Sequence, residues 1–258
     1  MTLNELTMPH TVGDVPSYEL ETVEAQDTLI SAIEVMFEND YTQLGIERNG
    51  EVVGMVSYRS ISRVLSILRK LGADKNLPKR QVGIAIEELS PVVDPNEDLI
   101  VLFNLLSEDP YVIVQMDVDQ PFEILTNYDL LHYLRDSIEP FLLIEDIERS
   151  TREIIEDAFP EELNEELQRF FEDKDIRTPN KITDCSFGHY PQFMSQNWPE
   201  FEGYFEENGD FVRRLLSEVG DIRNKIFHFR SDSYDSNLEE ELLKFAHGYF
   251  QRRLPKHE

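Results

Sequence analysis

Three groups of polar residues stand at spacings that could do chemistry. Arg223-Asn224 is followed after three residues by His228. It lies on a run in which Val212, Leu215, Leu216, Val219, Ile222 and Ile226 recur at helical spacing. Arg223 falls inside that apolar stripe, where a guanidinium needs a partner because burying an unpaired charge is costly. It is either ion-paired in a core or aimed at something anionic. Asn224 and His228 are four residues apart and share a helix face, whereas Arg223 and His228 are about 140° apart on one helix. The other two groups are Ser57 with Ser60 and Thr126 with Asp129. A hydroxyl and a carboxylate three residues apart, where a strand enters a helix, can reach a phosphate or a ribose from one edge. The carboxylate then accepts from the two ribose hydroxyls. Ser, Thr and Asp are also favoured helix N-caps, so contact with a ligand and plain capping both remain open.

The elements that position these residues divide the chain in two. Val23-Glu24-Ala25-Gln26-Asp27-Thr28-Leu29-Ile30 is echoed by Val93-Asp94-Pro95-Asn96-Glu97-Asp98-Leu99-Ile100, and Tyr41 by Tyr111, at a constant offset. Each copy predicts a strand, a helix (Thr28–Phe37, Asp98–Ser107), a hairpin and a second helix (Ser60–Lys70, Asp129–Ser137). Asn49-Gly50 is a strong signal for the first hairpin turn. The second hairpin is expected to turn near Asp117–Pro121. From Ile138 onward strand signals disappear. Phe141, Ile144, Ile147, Ile154, Ile155 and Ala158 line one face of a long helix, and further helices follow, down to one carrying Leu238, Leu242, Phe245, Ala246 and Tyr249. The expected fold class is α+β, with two domains. A tandem β-α-β-β-α repeat spans residues 1–138, and an all-α bundle spans 139–258.

The repeat resembles a cystathionine-β-synthase (CBS) domain pair, a module that binds adenosine-type ligands between its two copies. The family's strand normally ends Gly-apolar-apolar-Thr-x-x-Asp. The copies here read Gly54-Met55-Val56-Ser57-Tyr58-Arg59-Ser60 and Glu123-Ile124-Leu125-Thr126-Asn127-Tyr128-Asp129. The resemblance implies Ser57, Thr126 and Asp129 as ligand contacts, with AMP, ATP or S-adenosylmethionine as the regulatory ligand. Ser60 stands where the first aspartate is expected, which weakens ribose binding there. The helical half resembles the HEPN superfamily, whose penultimate helix carries Arg-x4–6-His, often with Asn after the Arg. Phe187-Gly188 and Trp198 fall where such domains carry a short helix and an aromatic residue. That resemblance implies metal-independent RNA cleavage in which the RNA 2′-hydroxyl attacks the neighbouring phosphate. His228 would act as acid or base, Arg223 would stabilise developing charge, and Asn224 would orient RNA or His228. It also implies a homodimer that assembles the site from two chains. Together these features suggest a nucleotide sensor that regulates an RNA-binding or RNA-cleaving domain. The alternative is a non-enzymatic module whose helical half is a dimerisation or partner-docking platform.

Composition narrows the setting. The formal net charge is −28, from 52 acidic against 24 basic residues, and the acids are scattered through folded-looking sequence rather than gathered in a tail. That pattern suits a halophilic cytoplasm, because molar salt shrinks the screening length to ~3 Å. Arg69, Lys70, Lys75, Lys79 and Arg80 form a basic cluster between the repeats. It reads as a polyanion contact or as helix-end cations followed by a solvated loop. A second group, Arg213, Arg214, Arg223, Lys225, Arg230, Arg252, Arg253 and Lys256, crowds the last quarter of the chain. A single cysteine, Cys185, excludes an internal disulfide. No metal-ligand cluster, signal peptide or membrane-length apolar run is expected.

Overall fold

The structure, a computed structural model, describes residues 10–73, 75, 76, 79–117, 120–172, 174, 179–227 and 236–255. Its internal contacts divide the chain into two compact units, Met1–Leu134 and Arg135–Glu258. The fold is α+β, with the strands in the first unit and a helical second unit.

In the first unit the repeat is realised element by element. Copy one comprises β2 (Thr22–Glu24), α1 (Leu29–Glu38), β3 (Gln43–Arg48), β4 (Glu51–Ser57) and α2 (Tyr58–Lys70). Copy two comprises β5 (Val92–Val93), α3 (Leu99–Glu108), β6 (Tyr111–Val114), β7 (Glu123–Thr126) and the start of α4 (Asn127–Ala158). A short leading strand, β1 (Tyr18–Glu19), pairs not with its own copy but antiparallel to β7. The two sheets are therefore β2-β3-β4 and β1-β7-β6-β5. Asn49 and Gly50 close the first hairpin with φ values of 58° and 81°. Two successive positive φ values make the turn twist with its strands, and Asn-Gly is the pair that adopts them at least cost.

The polar segments before each copy cross over in the same way. Val12 and Gly13 donate to the carbonyls of Glu97 and Pro95 in the second copy, at 2.9 and 2.8 Å. Val82 and Gly83 donate to Asp27 and Ala25 in the first copy, at 2.7 and 3.2 Å. Each segment forms a single 3₁₀ turn, Val12–Asp14 and Val82–Ala85. Each copy has its own apolar core, around Leu29, Met36, Leu44 and Ile46 in one and Leu99, Leu102, Val112 and Leu125 in the other. A third cluster, built on Leu20, Met55 and Ile113, joins residues of both sheets.

The second unit packs the remainder of α4 with α5 (Leu163–Phe171), α6 (His189–Gln196), α7 (Trp198–Phe201), α8 (Gly209–Phe227) and α9 (Ser236–Gln251). The isoleucines read as one face of a helix, Ile144, Ile147, Ile154 and Ile155, are all buried in its core. The sequence predicts one helix ending at Ser137 and a second carrying Phe141 onward, yet α4 is continuous and runs through Pro140. Proline's φ of about −65° is itself a helical value. What is lost is the hydrogen bond that residue 140 would have given the Asp136 carbonyl, while the helical path continues. In the core, Arg152 Nε donates to the Tyr190 hydroxyl at 2.9 Å, and that oxygen lies 3.2 Å from the Cys185 carbonyl. Arg152 also pairs with Glu148, one turn earlier on α4. Burial pushes the Tyr190 hydroxyl up to about 12, so the phenol stays protonated and binds the 182–190 segment to α4.

Candidate functional site

Both strand-to-helix junctions of the first unit cap the helix that follows, the first as a capping box, and they are built from different chemistry. At the first, the Ser57 hydroxyl accepts from Ser60 N at 3.0 Å, and Ser57 N donates to Ser60 Oγ at 2.9 Å. Ser60 Oγ also donates to the Ser57 carbonyl at 3.0 Å. Ser60 is 2% exposed, so its hydroxyl is consumed by the cap. At the second, Asp129 Oδ2 accepts from Thr126 N at 2.8 Å and from the Thr126 hydroxyl at 2.6 Å. The Thr126 hydroxyl in turn accepts from Tyr128 N at 3.2 Å. Asp129 is 8% exposed, an unusual burial for a carboxylate. Among the described residues, both hydrogen bonds to Asp129 end on Oδ2. Two hydrogen bonds from Thr126 thus fix the direction of the buried carboxylate, and Oδ1 is left over.

The sequence reading brings together Thr126 with Asp129 and Ser57 with Ser60, but it misses the residues from the crossing segments. Glu87 bridges onto β4, with Met55 N donating to its carbonyl at 3.1 Å and its own N donating to the Met55 carbonyl at 2.8 Å. Its carboxylate accepts from the Ser57 hydroxyl at 3.3 Å. At the equivalent place before the first copy stands Tyr18, opposite Ile124 as Glu87 is opposite Met55, and Ser17 beside it hydrogen-bonds Glu123 on β7. Tyr111, on β6 beside Thr126, is half-buried. Burial first, then the Glu87 and Asp109 carboxylates, push its hydroxyl up to about 12.

In the second unit Arg223 and Asn224 lie on α8, and His228 lies outside the described residues. Asn224 is exposed and Arg223 is half-buried. The guanidinium carbon sits 4.9 Å from the centroid of the Phe227 ring, a cation–π arrangement. Its Nε is buried and has no hydrogen-bond partner among the described residues. The core ion pair expected as one alternative for Arg223 is therefore not found among them. Lys225, two residues on, is paired with Glu239 of α9. In the basic cluster between the repeats, Arg80 Nη2 donates to the Ala73 carbonyl at 2.8 Å and ties down its own loop. Among the described residues no group of three or more His, Cys, Asp or Glu could hold a metal ion, and no helix is long and apolar enough to cross a membrane.

The first copy, its leading 3₁₀ turn and the capped junction after β4 coincide with the span of one family model, that of the CBS domain, which matches residues 12–67. The chain carries a CBS domain. Solved structures similar to it include a conserved CBS domain protein of unknown function from Thermoplasma acidophilum. It is 26% identical over 49% of this chain and 70% of that one, with a TM-score of 0.41. CBSX2 in complex with AMP is 25% identical over 48% of this chain and 94% of that one, at a TM-score of 0.39. The CBS domain pair of protein MJ0100, in complex with 5′-methylthioadenosine and S-adenosyl-L-methionine, is 16% identical over 48% and 98%, at 0.40. Comparison with curated proteins found no match.

Proposed function

We propose that the second copy completes a CBS pair and that the pair binds an adenine nucleotide, AMP, ATP or S-adenosylmethionine, at the Thr126/Asp129 junction. The observation that carries this reading is the Asp129 carboxylate. It is buried, held through Oδ2 by two bonds from Thr126, and has Oδ1 available to ribose hydroxyls. Charge-assisted hydrogen bonds of that kind are about twice as strong as neutral ones. Calorimetric titration of the full chain with each of the three ligands tests it, and silence from all three would sink it.

We further propose that the helical unit contacts RNA through Arg223, Asn224 and His228, as the HEPN resemblance implies, in a homodimer, and that nucleotide in the first unit modulates this contact. The supporting observation is that the half-buried Arg223 meets the ring of Phe227 and no carboxylate among the described residues, so its positive charge is not neutralised by an ion pair there. Arg223→Ala is expected to weaken RNA binding about tenfold and to lower the salt slope of log K by about 1. The measurement is fluorescence anisotropy in molar KCl with EDTA, with and without ATP. RNA affinity unchanged in both Arg223→Ala and His228→Ala would instead favour a dimerisation or docking platform.

A further inference from the structure

The two junctions differ in what their strand hydroxyl meets. In the second, Thr126 gives its proton to Asp129. In the first, Ser60 has no carboxylate to offer, and Ser57 gives its proton to Glu87, thirty residues away in the crossing segment. Glu87 is not a casual neighbour. Its backbone exchanges two hydrogen bonds with Met55, and the contact is close enough to require glycine at position 54. A Cβ there would stand 2.5 Å from the Glu87 carbonyl oxygen and 2.6 Å from Ile86 Cγ1. The carboxylate is thus clamped at the mouth of the β4–α2 junction. Its influence on the Tyr111 hydroxyl of the second copy agrees with a position on the face shared by the two sheets. The corresponding residue of the second junction is Tyr18, which pairs with Ile124 as Glu87 pairs with Met55 and brings no carboxylate.

We propose that the Glu87 carboxylate is a built-in occupant of the first junction, standing where a ligand's anionic group would meet the Ser57 hydroxyl, so that each chain takes one nucleotide and takes it at the second junction. The stoichiometry rests on the nucleotide reading given above; the occupancy of the first junction does not. A phosphate brought to Ser57 would meet a like charge already hydrogen-bonded to the same hydroxyl, and no carboxylate at position 60 would receive the ribose.

The test makes the first junction chemically like the second. Glu87→Ser removes the carboxylate from the first junction, and Ser60→Asp installs the residue type of position 129. Ser60 Oγ already accepts from Ser57 N as Asp129 Oδ2 accepts from Thr126 N, so the cap is preserved. The full chain, the double variant and the double variant with Asp129→Asn are titrated calorimetrically with AMP, with circular dichroism as the folding control. The double variant is expected to bind one equivalent more than the unmodified chain, and the gained equivalent should survive Asp129→Asn. If the unmodified chain binds none and the double variant one, the nucleotide reading of the second junction fails while the occupancy of the first by Glu87 stands. Should the double variant not fold, Glu87→Ser alone is expected to bind a second equivalent about tenfold more weakly than the first, for want of the charged acceptor. No gained equivalent in any folded variant, or two equivalents in the unmodified chain, overturns the proposal.

Discussion

Asp129→Asn is expected to weaken adenine-nucleotide binding by about ten- to a hundredfold while leaving the fold intact. A hydrogen bond to a charged group contributes about 1.5–3 kcal/mol, and every 1.4 kcal/mol is tenfold in affinity. The asparagine keeps the size and one acceptor. Its amide group, however, must face either Thr126, where it sets donor against the backbone N–H, or the ribose hydroxyls, which then lose their charged acceptor. Stability should fall by no more than about 1 kcal/mol, because asparagine retains much of a capping side chain's value. Calorimetry on the variant and urea unfolding of both chains separate the two effects. Equal affinities would remove Asp129 from the site.

The largest stability change is expected at Tyr190. Its side chain is fully buried among Phe187, Phe193 and Met194 in the core of the helical unit. Its hydroxyl receives Arg152 Nε, and a phenol has one proton to give among Glu148 and the Cys185 and Ile182 carbonyls. Tyr190→Ala leaves a cavity and strands the Nε donor of Arg152, which keeps its pairing with Glu148, and is expected to cost about 3–5 kcal/mol. Tyr190→Phe keeps the ring and loses only the hydroxyl, with an expected cost of about 1–3 kcal/mol from the stranded Arg152 donor. Urea midpoints on both variants check the order and the gap. A phenylalanine variant as stable as the unmodified chain would mean that Arg152 finds another acceptor and that the hydroxyl network does not hold the 182–190 segment.

Much of this architecture was legible because it is written in local periodicity. The offset relating Val23 to Val93 predicted two like copies, and Val23 and Val93 do occupy equivalent parallel registers, opposite Ile46 and Val114. Asn49-Gly50 announced its turn through backbone preference alone. The crossing segments were not legible. Val12-Gly13 and Val82-Gly83 bear no apolar rhythm, and their pairing with the other copy is made by backbone hydrogen bonds between residues far apart in sequence. For the same reason Glu87 escaped notice: nothing near it in the chain reveals that it will lie against Ser57. The helix end expected at Ser137 is absent because α4 continues through Pro140, where only one backbone hydrogen bond is lost. Arg223 sat in the apolar stripe, as its position on α8 required, but the sequence left open whether it is ion-paired in a core or aimed at something anionic, and it did not foresee the ring of Phe227.

The central claim, that the first unit recognises the ribose of an adenine nucleotide through Asp129, is tested most directly by removing the ribose hydroxyls rather than the protein's carboxylate. Calorimetric titration of the unmodified chain with AMP and with its 2′,3′-dideoxy analogue, in the same molar KCl buffer, isolates that contact. The account predicts that AMP binds and that the dideoxy analogue binds at least about tenfold more weakly, because a buried carboxylate is left without its donors. Equal binding of the two, or no binding of either, would contradict it.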